Sequence, residues 1–492
     1  MSDSPAISQL IDQDRFRELG ERVVELANRH LREVMERPIA PNPAPDERRM
    51  LLDQPLPAAG ADPDAILDFA RDHILTHPRG NGHPGFYGWV ISPPAHMPVL
   101  TEMLAAAMNA ACGGGEHGAI LLEMCVIRWI KELMGFDQPG AHGILVSGGS
   151  MASLTALAAA RHRAAARLGW DIRADGLQAG PRLTLYAGGE VHACVEKSIE
   201  LMGLGHRALR RIGTDKNFHI DLKELEQRIE NDKKDGFEPF CVVGSAGTVN
   251  TGAVDDLDGL ADIAERHGLW LHVDGAYGAF GALDPERSER FAGMARADSL
   301  ALDPHKWMAV PIECGCTLVR DAANLRDAFS LIPPYIRVDG AYGIEGMGAP
   351  MEYGFQLTRG FRAFKVWSTL MHIGRDGLAQ TVARHNRLAY YLKGLIEADG
   401  NLELLAPVEL SIVCFRYAPA GLTGDEKRLN ELNKAILAHL QADGESYPSQ
   451  TLLGDRFAIR ANIMHYATNE RHIDRLVEQV LAIGLKLRGA NQ

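Results

Sequence analysis

No run of apolar residues in this 492-residue chain approaches the ~18 that a membrane-spanning helix requires. The most apolar stretches, Met103 to Cys112 and Ala119 to Ile130, are short and are bounded by glycines or broken by Glu123. The first residues carry acids and no apolar core, so a secretory signal is not expected. Cysteines number seven, an odd count spread thinly, which excludes a disulfide framework and points to a reducing, cytoplasmic setting. The pair Cys314-Gly-Cys316 has the wrong spacing for a CxxC redox or zinc site and reads as structural. Basic residues are short too: 51 against 64 acids give a net charge of −13 and a pI near 5.8. With no basic stripe, a nucleic acid is not an expected partner. The glycine-rich turn Ser147–Ser150 is neither a P-loop nor a GxGxxG turn, and no internal repeat or low-complexity segment is present.

What remains is the composition of a large globular protein, 46% hydrophobic and 23% charged, long enough for two to three domains at about 150 residues each. Residues 1–95 read as amphipathic helices, such as Phe16 to Met35, joined by the proline-rich connector Arg37 to Pro45, an arm that seldom folds alone. From about 140 to 320, short apolar runs alternate with helical patterns. They are Gly143–Val146, Arg182–Tyr186, Cys241–Val243, Trp270–Val273, Ser299–Leu302 and Cys316–Val319. Strands spaced by helices predict a mostly parallel α/β sheet. A long helix from Phe361 to Glu397 leads to a smaller α+β section with strands Leu410–Tyr417 and Arg456–Asn462 and a helix from Glu470 to Leu485. The expected division is an arm over 1–95, a large domain over 96–385 and a small one over 386–492.

In such sheets ligands bind beyond the carboxyl ends of the strands. Three strand ends carry chemistry. Ser147-Gly148-Gly149-Ser150 precedes a strong helix former, so its glycines admit close backbone approach while free N–H groups, the helix dipole and a hydroxyl favour an anion such as phosphate. Asp274 follows an apolar strand, with small residues above it. Lys306 stands between His305 and Trp307 behind Pro304, where a desolvated amine can form a Schiff base. Singly, each has a plain alternative: an ordinary turn, a helix-capping acid, a lysine stem running past Trp307. Together, a phosphate cradle, an acid and a lysine are what pyridoxal 5'-phosphate needs.

The chain also resembles the group II pyridoxal-phosphate-dependent amino-acid decarboxylases, the family of aromatic-L-amino-acid, tyrosine, glutamate and cysteine-sulfinate decarboxylases. The resemblance covers nearly the whole chain. It rests on His83-Pro-Gly-Phe-Tyr-Gly88, Ser147–Ser150, Val191–Ser198, Gly247–Asp256, His272–Ala276, Asp303-Pro-His-Lys-Trp307 and Arg359–Trp367. It implies a fold-type I architecture with a mostly parallel seven-stranded sheet, and an obligate homodimer whose active sites lie at the interface. By resemblance, Lys306 carries the cofactor, Asp274 pairs with its ring nitrogen, His192 stacks on the ring and Ala276 packs on the opposite face. Thr248 lies near the ring substituents and His305 near the phosphate. Tyr335, in Pro334-Tyr-Ile336, matches a mobile-loop tyrosine that completes the partner's site and reprotonates the substrate carbon, assisted by His192. Relatives with phenylalanine there tend to make aldehydes by oxidative deamination, so Tyr335 favours an amine.

Several positions depart from the family pattern: Met151 for a common glutamate, Asp303 for asparagine, and Gly360 for a second arginine beside Arg359. The stretch Gly113–Gly118 lacks the usual bulky residue and proline, while Glu116 and His117 add polarity at the expected substrate mouth. Phe86, Tyr87 and Trp89 could wall an aromatic pocket, although aromatics near a sheet are often core. An aromatic L-amino acid is the favoured substrate. A decarboxylating aldehyde synthase, or a decarboxylase of glutamate, is the alternative.

Overall fold

The computed structural model describes residues 12–331 and 348–490. Two sheets organise it. The larger has seven strands in the order β2-β8-β7-β6-β5-β3-β4: β2 (His142–Val146), β3 (Leu183–Gly188), β4 (Leu209–Ile212), β5 (Glu238–Ser245), β6 (Trp270–Asp274), β7 (Ser299–Leu302) and β8 (Gly315–Val319). Only β8 runs against the others. The carboxyl ends of β2, β3, β5, β6 and β7 therefore share one rim, and apolar side chains pack on both faces of the sheet. All six predicted strands form, with ends moved by a few residues. β4 was hidden because Arg210 and Arg211 interrupt its apolar pattern.

The second sheet, ordered β1-β11-β12-β10-β9, combines β9 (Leu402–Leu404), β10 (Ile412–Tyr417), β11 (Tyr447–Leu453) and β12 (Arg456–Asn462) with β1 (Phe86–Tyr87). β1 pairs parallel to β11, so a piece of the expected N-terminal arm is stitched into the C-terminal sheet. β11 escaped the sequence reading because Tyr447-Pro-Ser-Gln-Thr carries little apolar character. The long helix spans Arg362–Ala398 but is broken at Gly374, whose φ of 68° and ψ of 174° lie outside the helical range. The periodicity on either side is helical, which is why one continuous helix was expected. A side chain at 374 would be strained by that positive φ.

The arm helix Gln13–Glu33 buries only Leu26, and the helix Pro45–Leu52 buries nothing. The helix His96–Met108 leaves Leu100, Leu104 and Met108 half exposed. All seven cysteines are free, and both Cys314 and Cys316 are fully buried. No helix among the described residues is long and apolar enough to cross a membrane.

The two sheets are coupled by an ionic contact. His219 Nε2 donates to Glu409 Oε1 at 2.6 Å, and Glu409 Oε2 accepts the N–H of Val254 at 2.9 Å. The hydrogen bond to Glu409 raises the His219 pKa, and burial pushes the neighbouring Asp255 carboxyl up to about 6. Both groups favour their protonated form in the fold, so both contributions are complete below the unfolded pKa and are lost as pH rises through the folded one. His219→Gln should destabilise the protein by up to ~1 kcal/mol in mildly acidic buffer. The gap to wild type should narrow as pH rises past about 6.5, the unperturbed histidine value. Thermal melts of both proteins across pH check this, and a gap that ignores pH would remove the ion pair from the account.

Candidate active site

The shared rim opens into a cavity of about 580 Å³. Its floor is the phosphate turn. β2 ends at Val146, Gly148 caps the helix Gly149–Arg167, and Ala152 N–H donates to Gly148 O at 2.9 Å. The N–H groups of Gly149, Ser150 and Met151, in the helix's first turn, are left to point outward. A Cβ on Gly149 would sit 2.8 Å from both Ala276 Cβ and Asp303 Oδ2, so only glycine fits. Ser150 is exposed to the cavity.

β7 delivers the lysine. Lys306 Nζ lies 2.9 Å from Asp303 Oδ2, and its side chain is only 20% exposed. Asp303 Oδ1 is buried without a hydrogen-bond partner, and His305 Nδ1 sits 2.8 Å from Cys314 O. β6 ends on Asp274, whose Oδ1 accepts the N–H of Ala276 at 3.1 Å while Oδ2 faces Cys194 Sγ at 4.0 Å. Burial pushes the Cys194 thiol up to about 12, so it stays protonated. His192, the cap of the helix Ala193–Leu201, takes the Cys194 N–H on Nδ1 at 3.2 Å. Desolvation lowers the His192 pKa, with the Asp274 carboxylate opposing it, which favours a neutral ring. From the turn after β5, the Thr248 hydroxyl meets that of Thr251 at 2.9 Å.

These groups fit pyridoxal phosphate on the geometry alone. The helix N-terminus and its glycine cradle suit a phosphate monoester. The buried Asp274 keeps Oδ2, met among the described residues only by the Cys194 thiol at 4.0 Å, for a protonated ring nitrogen, and Lys306 supplies the amine. Gly148, Gly149, Ser150, His192, Thr248, Asp274, Ala276, His305 and Lys306 all line the one cavity.

Other expected residues lie elsewhere. Of the aromatic trio only Trp89 reaches the cavity. Phe86 stacks on Tyr447 at 5.5 Å and Tyr87 is wholly buried in the core of the small sheet. Pairing of β1 with β11 sends Tyr87 into that core and Phe86, on the other face, against its register partner Tyr447. Glu116 is exposed and His117 caps the helix Gly118–Leu133, and neither lines the cavity. Tyr335 lies outside the described residues. Arg359 is not at the site: its side chain is 1% exposed, and its Nη1 meets Glu123 Oε2 at 3.1 Å.

Arg460 is among the cavity residues that went unread. Arg460, on β12, is buried yet has no carboxylate partner among the described residues. Its Nη2 donates to Val249 O at 2.7 Å, its Nε to Asn250 O at 3.0 Å, and its Nη1 to Trp89 O at 3.0 Å and Ser449 Oγ at 3.2 Å. These bonds hold Trp89 in its left-handed backbone conformation, φ 49°. An arginine inside the apolar run Phe457-Ala-Ile-Arg-Ala was the available signal.

Comparison with known proteins identifies the family. The Bacillus atrophaeus aromatic-L-amino-acid decarboxylase is 32% identical over 475 residues, covering 96% of each chain. A Petunia hybrida phenylacetaldehyde synthase is 28% identical over 95% of this chain and 94% of its own. The crystal structure of Oryza sativa TDC with PLP and tryptamine superposes with a TM-score of 0.90 at 24% identity, over 97% of this chain and 99% of that one, and so shares the fold. The conserved domain of pyridoxal-dependent decarboxylases matches residues 45–418, a span that holds the turn after β2, Asp274 and Lys306. The chain therefore belongs to the pyridoxal-dependent decarboxylase family.

Proposed function

We propose that this enzyme decarboxylates an aromatic L-amino acid to its amine, with pyridoxal phosphate, as a homodimer. The observation that carries the substrate class is Trp89, an aromatic wall fixed by Arg460 and Asn462 across the cavity that holds Lys306. Arg79 lies 3.9 Å over its ring, so one face is covered and the indole is held in place. An acidic side chain finds no such welcome. Among the described lining residues, the cations are Lys306, paired with Asp303, and Arg460, committed to carbonyls and a hydroxyl.

When bound, the cofactor supplies an electron sink for the pair released as carbon dioxide leaves. Lys306 would hold it through its amine and would serve to release the product. Asp274 holds the proton on the ring nitrogen, a preorganised charge of the kind worth several kcal/mol. His192, kept neutral, presents a flat ring to the cavity. Tyr335 returns a proton to the substrate carbon, a contribution of about 10²- to 10⁴-fold for a positioned acid.

The dimer accounts for the half-exposed Leu100, Leu104 and Met108, which their i, i+4, i+8 spacing puts on one face of the helix His96–Met108, because exposed apolar surface of this kind marks interfaces. Light scattering at twice the 53.7 kDa chain mass supports that reading, and a monomer overturns it.

The function is tested by incubating the cofactor-loaded protein in air with an equimolar pool of L-amino acids and identifying products by mass. An amine from one aromatic member is the expected result, and an amine from a non-aromatic member overturns the substrate class. An aldehyde moves the enzyme to the oxidative branch, the activity named for the phenylacetaldehyde synthase relative. Tyr335→Phe should cut amine formation by about 10²-fold or divert it to aldehyde with consumption of oxygen. An unchanged amine yield would exclude Tyr335 from proton transfer.

A further inference from the structure

Among the described residues, one group of His, Cys and carboxylate side chains converges closely enough to hold a metal ion: His192, Cys194 and Asp274, whose ligand atoms lie within 4.8 Å of one another. His192 and Cys194 follow β3, while Asp274 ends β6, two strands away across β5. The Cys194 N–H bond to His192 Nδ1 holds the first two in one turn and uses the single lone pair of the neutral ring, so that bond is given up when the ring binds an ion. Asp274 Oδ1 is occupied by the Ala276 N–H, which leaves Oδ2 turned to Sγ. Cys194 and Asp274 are buried, and His192 opens to the cavity.

We propose that the cofactor-free protein binds a thiophilic divalent cation, zinc(II) in the first instance, on His192, Cys194 and Asp274, and that this ion and the cofactor ring exclude each other. An imidazole nitrogen, a thiolate and a carboxylate oxygen are a zinc donor set, with bonds of about 2.0 to 2.3 Å that draw the ligand atoms to within about 4 Å. The separations here need about 1 Å of closure, within reach of side-chain rotation. The fourth position faces the open cavity and takes a water, as zinc sites with three protein ligands do. The thiol proton leaves to solvent as the sulfur–zinc bond forms. The nearby cation Lys306 is neutralised by Asp303 at 2.9 Å and leaves the triad its negative character. Exclusion follows because Asp274 cannot serve both the ion and a ring nitrogen. That half of the proposal rests on the cofactor reading above, and the binding half does not.

The test uses the full-length protein stripped of cofactor, titrated with zinc chloride by calorimetry and with cobalt(II) by absorption. One equivalent should bind, and cobalt should show a thiolate charge-transfer band. Cys194→Ser should abolish the band and weaken zinc by about 10-fold or more. Cys125→Ser, on a partly exposed cysteine outside the group, should keep both. Protein loaded with pyridoxal phosphate should bind neither ion. Absence of the band in wild type, or equal zinc affinity in Cys194→Ser, overturns the site, and equal binding by loaded protein overturns the exclusion. Loading in metal-free buffer, followed by cofactor absorbance, tests the cofactor reading independently.

Discussion

Lys306→Ala should lower decarboxylation by at least ~10³-fold, within the range that one positioned proton-transferring side chain contributes even before its covalent role is counted. The loss has two sources, and a second variant separates them. Lys306 Nζ is the lysine or arginine cation bound to the buried Asp303 among the described residues, so alanine removes the anchoring amine and also strands a carboxylate beside the phosphate turn. Lys306→Arg restores the positive charge against Asp303 but offers no amine that can bond to an aldehyde. Both variants should fail to retain the cofactor covalently, so that borohydride reduction adds its mass to wild type and to neither variant. Arginine should recover thermal stability that alanine loses. A variant that still gained the cofactor's mass would move the anchoring role to another lysine.

The sequence made the rim of the large sheet readable for a physical reason. Parallel strands covered on both faces are near-continuous apolar runs, and their carboxyl ends must meet on one side, so Gly148, Asp274 and Lys306 could be placed together because each follows the end of such a run. The small sheet was less readable, since β11 is polar and β1 is two residues long, and neither carries a usable period. That gap explains the misplaced aromatics. Without the pairing of Phe86 with Tyr447, nothing in His83 to Trp89 tells which ring faces the cavity. Arg460 went unread for the same reason, because its partners are backbone carbonyls of residues 89, 249 and 250, distant in sequence. Glu116 and His117 were chosen by polarity and position in a family stretch, neither of which fixes where the turn before the helix Gly118–Leu133 points.

Arg359→Met should destabilise the protein by about 3–5 kcal/mol, the usual consequence of leaving one member of a buried ion pair alone. Glu123 and Arg359 are each 1% exposed at the side chain, and what they hold is an edge. β2 is the outermost strand beside β8, so Leu145 has backbone groups with no further strand to bind. Glu123 Oε1 accepts the Leu145 N–H at 3.3 Å, and Arg359 Nη2 donates to Leu145 O at 2.6 Å. The pair thus replaces the missing strand two residues before Ser147, where the phosphate turn begins. Glu123→Leu with Arg359→Met removes both charges and should recover part of the loss. A deficit of about 1–3 kcal/mol should remain, because the Leu145 backbone groups and the Cys112 carbonyl that Arg359 Nη1 reaches at 2.9 Å stay unsatisfied. Urea unfolding of the three proteins measures this, and a double variant no more stable than Arg359→Met would mean the charges were never the issue. Because the pair fixes the strand that ends in the phosphate turn, the single variant should also bind pyridoxal phosphate more weakly while its Lys306 still takes the cofactor's mass on reduction.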